Sequence, residues 1–279
     1  TSPLSLDQIS RRYNVPQGFL KGLIGENPQV ASHLLNDLNY RLRKDSFIRT
    51  VDNNIRGFLT AGYKPMDYQD IIAQFIEMTQ KTGALPWGGY KSDSRAMLRA
   101  VSPNLIPFPP GDDYLLGTSL SFSDYGRGAV DLRVFLMRFS CLNGMIGYKM
   151  FREVHLGGKL EAEDLFEYSE RTYALNSQAA LSALGDAMET VFTEEFQNKI
   201  VDQVSNAANT TIDVSRETRR LRQKQLLSKD ESKTIEAMVL LDERVEVLPR
   251  TEHPNSRLRL SNALSWLAQT QPTERRMEL

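Results

Sequence analysis

From Tyr114 to Ser123 and again from Val130 to Ser140, apolar side chains fall on alternate positions. Successive side chains of a strand point to opposite faces, so this pattern permits an extended chain and excludes a helix. Leu132, Val134 and Leu136 share one face, and Arg133, Phe135 and Met137 share the other. The intervening Asp124-Tyr125-Gly126-Arg127-Gly128 reads as a glycine-containing hairpin loop. After Asn143-Gly144, a further strand is predicted over Met145–His155, ending at Gly157-Gly158.

Upstream, Ser46–Val51 and Ile55–Thr60 read as a second hairpin. Its turn is Asp52-Asn53-Asn54, since Asn and Asp tolerate positive φ. Asp67 is placed to cap a helix over Tyr68–Lys81, with Ile71, Ile72, Phe75, Ile76 and Thr79 on one face. Residues 83–112 are rich in Gly and Pro and read as loop, with a short helix at Ser92–Val101. Before the sheet, residues 4–42 read as peripheral helices broken at Val15-Pro16. From Leu160 the period becomes helical, with helices near 160–191, 193–208 and 231–241 and a last one over Ser256–Ala268.

The expected class is α+β. A central antiparallel sheet built from residues 46–155 is flanked by N-terminal helices and followed by a long helical C-terminal part. The expected organisation is an N-terminal helical segment (1–45), a sheet core (46–158) and a helical region (159–279) that folds cooperatively with that core.

Chemistry is bounded by absences. Net charge is −1, from 34 Lys and Arg against 35 Asp and Glu, so any polyanion site must be local. Cys141 is the only cysteine, which rules out an internal disulfide. There is no Cys/His cluster for a metal, no phosphate loop and no Gly-x-Ser-x-Gly. No cofactor is expected. No stretch approaches the ~20 apolar residues of a membrane helix, and no leader pattern opens the chain, so the expected location is the cytoplasm.

Two basic clusters stand out. Arg49 and Arg56 lie on opposing strands of the first hairpin, with Tyr63 and Lys64 just beyond. If the two arginines share the open face they form a platform for phosphates, with Tyr63 stacking a base; otherwise they are an ordinary solvated sheet face. Arg216, Arg219, Arg220 and Lys224 recur at spacings of three, four and eight, which gives a helix one cationic face. That face could hold nucleic acid or pair with the acidic residues between Glu161 and Glu195, within the fold or between copies. Cys141, just before Asn143-Gly144, with His155 downstream, admits a nucleophile reading. A buried thiol at a strand end is the plainer account.

Three blocks resemble the domain-of-unknown-function family numbered 932, found in phages, plasmids and bacterial prophages. They are Phe47–Asp67, then Arg138-Phe139-Ser140-Cys141-Leu142-Asn143-Gly144-Met145 with His155, then Leu260–Trp266 with Asn262. The resemblance implies a mobile-element protein of the bacterial cytoplasm and marks Arg138, Cys141, Asn143, Gly144, His155 and Asn262 as its motif residues. The order of elements is also similar, at fold level, to single-strand-annealing proteins of the RecT and Redβ kind. The leading expectation is therefore a phage single-stranded nucleic-acid binder active in recombination, assembled with copies of itself. An enzyme using Cys141, Asn143, His155, Arg49 and Arg56, or a non-enzymatic host-interaction or virion protein, are the alternatives.

Overall fold

The alternating stretches are strands β5 (Asp112–Phe122) and β6 (Val130–Arg138), paired antiparallel with Ser121 opposite Asp131 and Tyr114 opposite Arg138. They are the centre of the protein in its computed structural model, which describes residues 1–42, 45–60, 63, 66–108, 112–138, 143–153, 169–241, 248–249 and 251–271. β7 (Asn143–Glu153) pairs with β6, but Asn143 and Gly144, expected as a turn, are ladder residues opposite Arg138 and Met137. The sheet has five antiparallel strands in the order β3-β4-β5-β6-β7. The first hairpin, β1 (Ser46–Val51) and β2 (Asn54–Thr60), is a separate two-stranded sheet. Its turn places Asp52 and Asn53 at φ of 49° and 60°.

Residues 83–112 depart from the expected loop and short helix. They contain β3 (Leu85–Lys91) and β4 (Ala96–Phe108). Prolines and glycines survive here because β3 is a sheet edge, with a register shift between Pro86 and Gly88. Beyond Val101, β4 has no β3 neighbour and shifts register again before Leu105, which accommodates Pro103 and Pro107.

One face of the large sheet is the core. Leu120, Phe122 and Leu132 pack on Ile71, Phe75 and Met78 of α4 (Tyr68–Lys81) and on Leu184 and Met188 of α5 (Glu170–Val191). Further along, Leu116, Val134 and Leu136 meet Ile200 and Val204 of α6 (Glu194–Asn209) and Leu258 of α9 (Arg257–Thr270). On the opposite face Val101, Leu115, Phe135 and Met137 form a smaller cluster, so the two faces divide as the alternation predicts. α5 begins at Glu170, and the residues near 160 at which the first C-terminal helix was expected to start lie outside the described ones.

The N-terminal part is α1 (Pro3–Tyr13), α2 (Gln17–Glu26) and α3 (Pro28–Leu42). α1 docks on the hairpin: Ser2 N and Ser5 Oγ donate to the Ile55 carbonyl at 2.9 and 2.7 Å, and Phe58 packs beside Leu6, Ile9 and Leu20. α7 (Val214–Gln223) and α8 (Lys229–Leu240) build a third cluster with α9 around Ile235, Val239 and Ala263. Among the described residues no helix is long and apolar enough to cross a membrane.

Candidate nucleic-acid interface

The hairpin does not present Arg49 and Arg56 as a platform. Register runs from Arg49 opposite Gly57 to Thr50 opposite Ile55, so Arg56 is the extra residue of a bulge. Both arginines turn toward the main body of the protein. Arg49 Nη2 lies 2.6 Å from Asp124 Oδ2 in the β5–β6 loop and 2.8 Å from Asp67 Oδ1, with 19% of its side chain exposed. Arg56 donates to the Asp93 carbonyl at 2.8 Å, and its guanidinium sits 5.7 Å from the Tyr125 ring centroid. The expectation of two guanidinium groups facing water together is corrected for a physical reason: three loops bring Asp67 and Asp124 to Arg49 and Asp93 to Arg56, and charge-assisted contacts replace solvation.

Asp67 was expected to cap α4. It occupies the N-cap position but makes no side-chain cap bond, because its carboxylate accepts from Arg49. Tyr63 is 6% exposed, its ring stacked on Phe47 at a centroid separation of 5.9 Å, so it is not free to stack on a base as predicted. Burial raises the Tyr63 and Tyr68 hydroxyls above the ordinary tyrosine range. Burial also works against the Arg49 charge, but Asp67 and Asp124 outweigh it and hold the guanidinium above its ordinary range. At Asp124 burial wins over the neighbouring Arg49, and with Asp67 nearby it pushes the carboxyl up to about 7.

The second basic cluster is placed as predicted. α7 buries Val214 and Thr218 and leaves Arg216, Arg219, Arg220, Arg222 and Lys224 exposed. Arg220 reaches Glu217 at 3.7 Å; the other four make no ion pair among the described residues. The acidic helix does not neutralise this face within the described residues. α5 packs on α4, where its Glu189 pairs with Lys81, and α7 packs on α8, where Thr218 donates to Glu236.

The motif residues divide. Arg138 is buried at the end of β6, in register with both Tyr114 and Asn143, and Gly144 stands opposite Met137. Asn262 is fully buried on α9, its Nδ2 donating to the Leu258 carbonyl at 3.0 Å. Lys64, Cys141 and His155 lie outside the described residues. Among the described residues no group of three or more His, Cys, Asp and Glu is placed to hold a metal.

A cationic cleft of about 630 Å³ was not foreseen. Arg11 and Arg12 from α1, Arg127 from the β5–β6 loop and Arg152 from β7 line it, together with Phe58, Leu59 and Tyr63. These arginines come from three distant segments, and only the display of Arg127 between two glycines hinted at its role. No protein-family model, curated protein or solved structure matches this chain.

Proposed function

We propose that this protein binds single-stranded nucleic acid in the bacterial cytoplasm and performs no bond chemistry on it, as strand annealing in recombination requires. The observation that supports this reading is the α7 face. Five cations stand exposed on one short helix and its cap, with only Glu217 within ion-pair distance among the described residues. A phosphodiester backbone fits such a stripe, because each neutralised phosphate releases condensed counterions and the interaction asks nothing of base identity. Assembly of copies along one strand belongs to the same reading.

Fluorescence anisotropy with a labelled single-stranded oligonucleotide over a salt series tests it. Affinity is expected to fall linearly with log salt, and Arg216→Ala or Arg219→Ala is expected to weaken binding on every sequence and reduce the slope by about one each. Absence of binding at about 50 mM salt, or binding indifferent to salt, removes the proposal.

A further inference from the structure

The cleft between α1, β2 and the β5–β6 loop has the charge, the lining and the rigidity of a small-anion site. Among the described residues its lining includes four arginines and no carboxylate. Two of those arginines are partly committed: Arg11 pairs with Asp7 at 3.1 Å, and Arg12 Nη2 donates to the Asp45 carbonyl at 2.9 Å. Arg127 and Arg152 are exposed and make no ion pair among the described residues. The acid opposite Arg152 in register is Asp131, but its Oδ2 accepts from Arg133 Nε and Nη2 at 3.1 and 2.9 Å. Arg152 is thereby left without that neighbour.

The walls are fixed from behind. Gln8 spans them, accepting from Phe58 N and donating to the Tyr125 carbonyl, both at 2.8 Å. Ser123 Oγ accepts from the backbone of Tyr125 and of Arg127 at 3.3 and 3.1 Å and donates to the Ser94 carbonyl at 2.6 Å. Arg95 Nη2 donates to the Arg127 carbonyl at 3.0 Å. The Arg49–Asp124 pair ties the same hairpin to the same loop. The backbone that carries Arg127 is therefore held before any ligand arrives, which lowers the ordering cost of binding.

We propose that this cleft seats one nucleotide, its phosphate against Arg127 and Arg152 and its base against the Phe58 and Leu59 side. A guanidinium presents paired donors that match phosphate oxygens, so two uncommitted arginines suit a phosphate better than an isolated carboxylate. The volume falls within the ~300–1,000 Å³ typical of small-molecule sites. The apolar part of the lining gives a planar base somewhere to leave water. The site goes beyond the strand-binding reading and does not depend on α7. A free nucleotide and the phosphorylated end of a strand present the same chemistry to it.

Isothermal titration of the full chain at low salt tests the site with a nucleoside 5′-monophosphate, the parent nucleoside and inorganic phosphate. One monophosphate is expected to bind per chain, with the nucleoside and phosphate alone each at least tenfold weaker. The double variant Arg127→Ala/Arg152→Ala is expected to bind the monophosphate at least tenfold more weakly with an unchanged melting temperature, since both side chains are exposed. The triple variant Arg216→Ala/Arg219→Ala/Arg220→Ala is expected to bind it normally. No saturable binding of the monophosphate, equal binding of the nucleoside, or full affinity in the double variant overturns the site. Loss of strand binding in the α7 variant with monophosphate binding intact is the result expected when both proposals hold. Unchanged strand binding in that variant overturns the α7 reading alone, and loss of monophosphate binding in the double variant with strand binding intact supports the cleft independently of α7. A 5′-phosphorylated oligonucleotide that binds more tightly than its unphosphorylated form, with the gain lost in the double variant, identifies a strand end as the occupant. Equal binding of the two, with the monophosphate still bound, identifies a free nucleotide.

Discussion

Asp124 shows how one carboxylate can organise a region while opposing the stability of the whole. It is 7% exposed, forms an ion pair with Arg49 at 2.6 Å, and keeps a second oxygen buried without a hydrogen-bond partner among the described residues. Its carboxyl is raised from 3.8 to about 7 in the folded chain, mainly by burial, with Arg49, Asp67, Tyr63 and Tyr68 as its charged and titratable neighbours. The folded state therefore holds this proton more tightly than the unfolded state. Its stabilising contribution is complete below the unfolded value and is lost as pH rises through about 7. Asp124→Asn, which keeps the shape without the charge, is expected to raise the melting temperature at about pH 8 by about 2–4 °C and to leave it unchanged at about pH 4. A loss at the higher pH would show the ion pair to be net stabilising, and no change at either pH would show that the Asp124 charge has no net effect. Gly117 tests packing at the same scale. A Cβ there meets the Phe135 ring and lies 2.8 Å from the Ala100 carbonyl oxygen, in the middle of β5. Gly117→Ala is expected to cost about 1–3 kcal/mol in urea unfolding, because neither the strand nor the ring can give way cheaply.

The C-terminal helices announce their own starts. α8 opens on a capping box, with Ser228 Oγ accepting from Glu231 N at 3.2 Å and Glu231 Oε2 accepting from Ser228 N at 2.7 Å. α6 is capped by Thr193 and α5 by Ser169. Ser228→Ala is expected to destabilise the chain by about 1 kcal/mol, read as a lower urea midpoint with unchanged slope. α4 makes the contrast. Its Asp67 stands at the same kind of position yet serves Arg49 instead, which no inspection of the local sequence reveals. α7 is an element whose two faces have different work. Val214 and Thr218 anchor it while its cations remain outside, and both faces follow from spacing alone.

At the scale of the molecule, protection from solvent is unevenly distributed. β5 and β6 are flanked on both sides by strands and have both faces buried over most of their length. α2 and α3 bury only Leu20 and Ala31 between them. Native-state hydrogen exchange is expected to be slowest in β5 and β6 and fastest, among the helices, in α2 and α3. Comparable protection in α2–α3 and β5–β6 would mean that the N-terminal helices are held by more than the contacts described.

Periodicity alone determined the α+β class, the first hairpin, the central strands and their two faces, and most helices after residue 169. These are properties of residues near in sequence, where side-chain direction repeats with the backbone. The edge strand β3 was hidden because Pro86, Gly88 and Gly89 read as loop until a neighbouring strand supplies pairing on one side. The fate of Arg49 was hidden for a related reason. Its partners are 18 and 75 positions away, and only the folded loops bring Asp67 and Asp124 to it. The arginine cleft is likewise a product of tertiary structure: α1, the β5–β6 loop and β7 converge there, and charge convergence over such separations leaves no local period in the sequence.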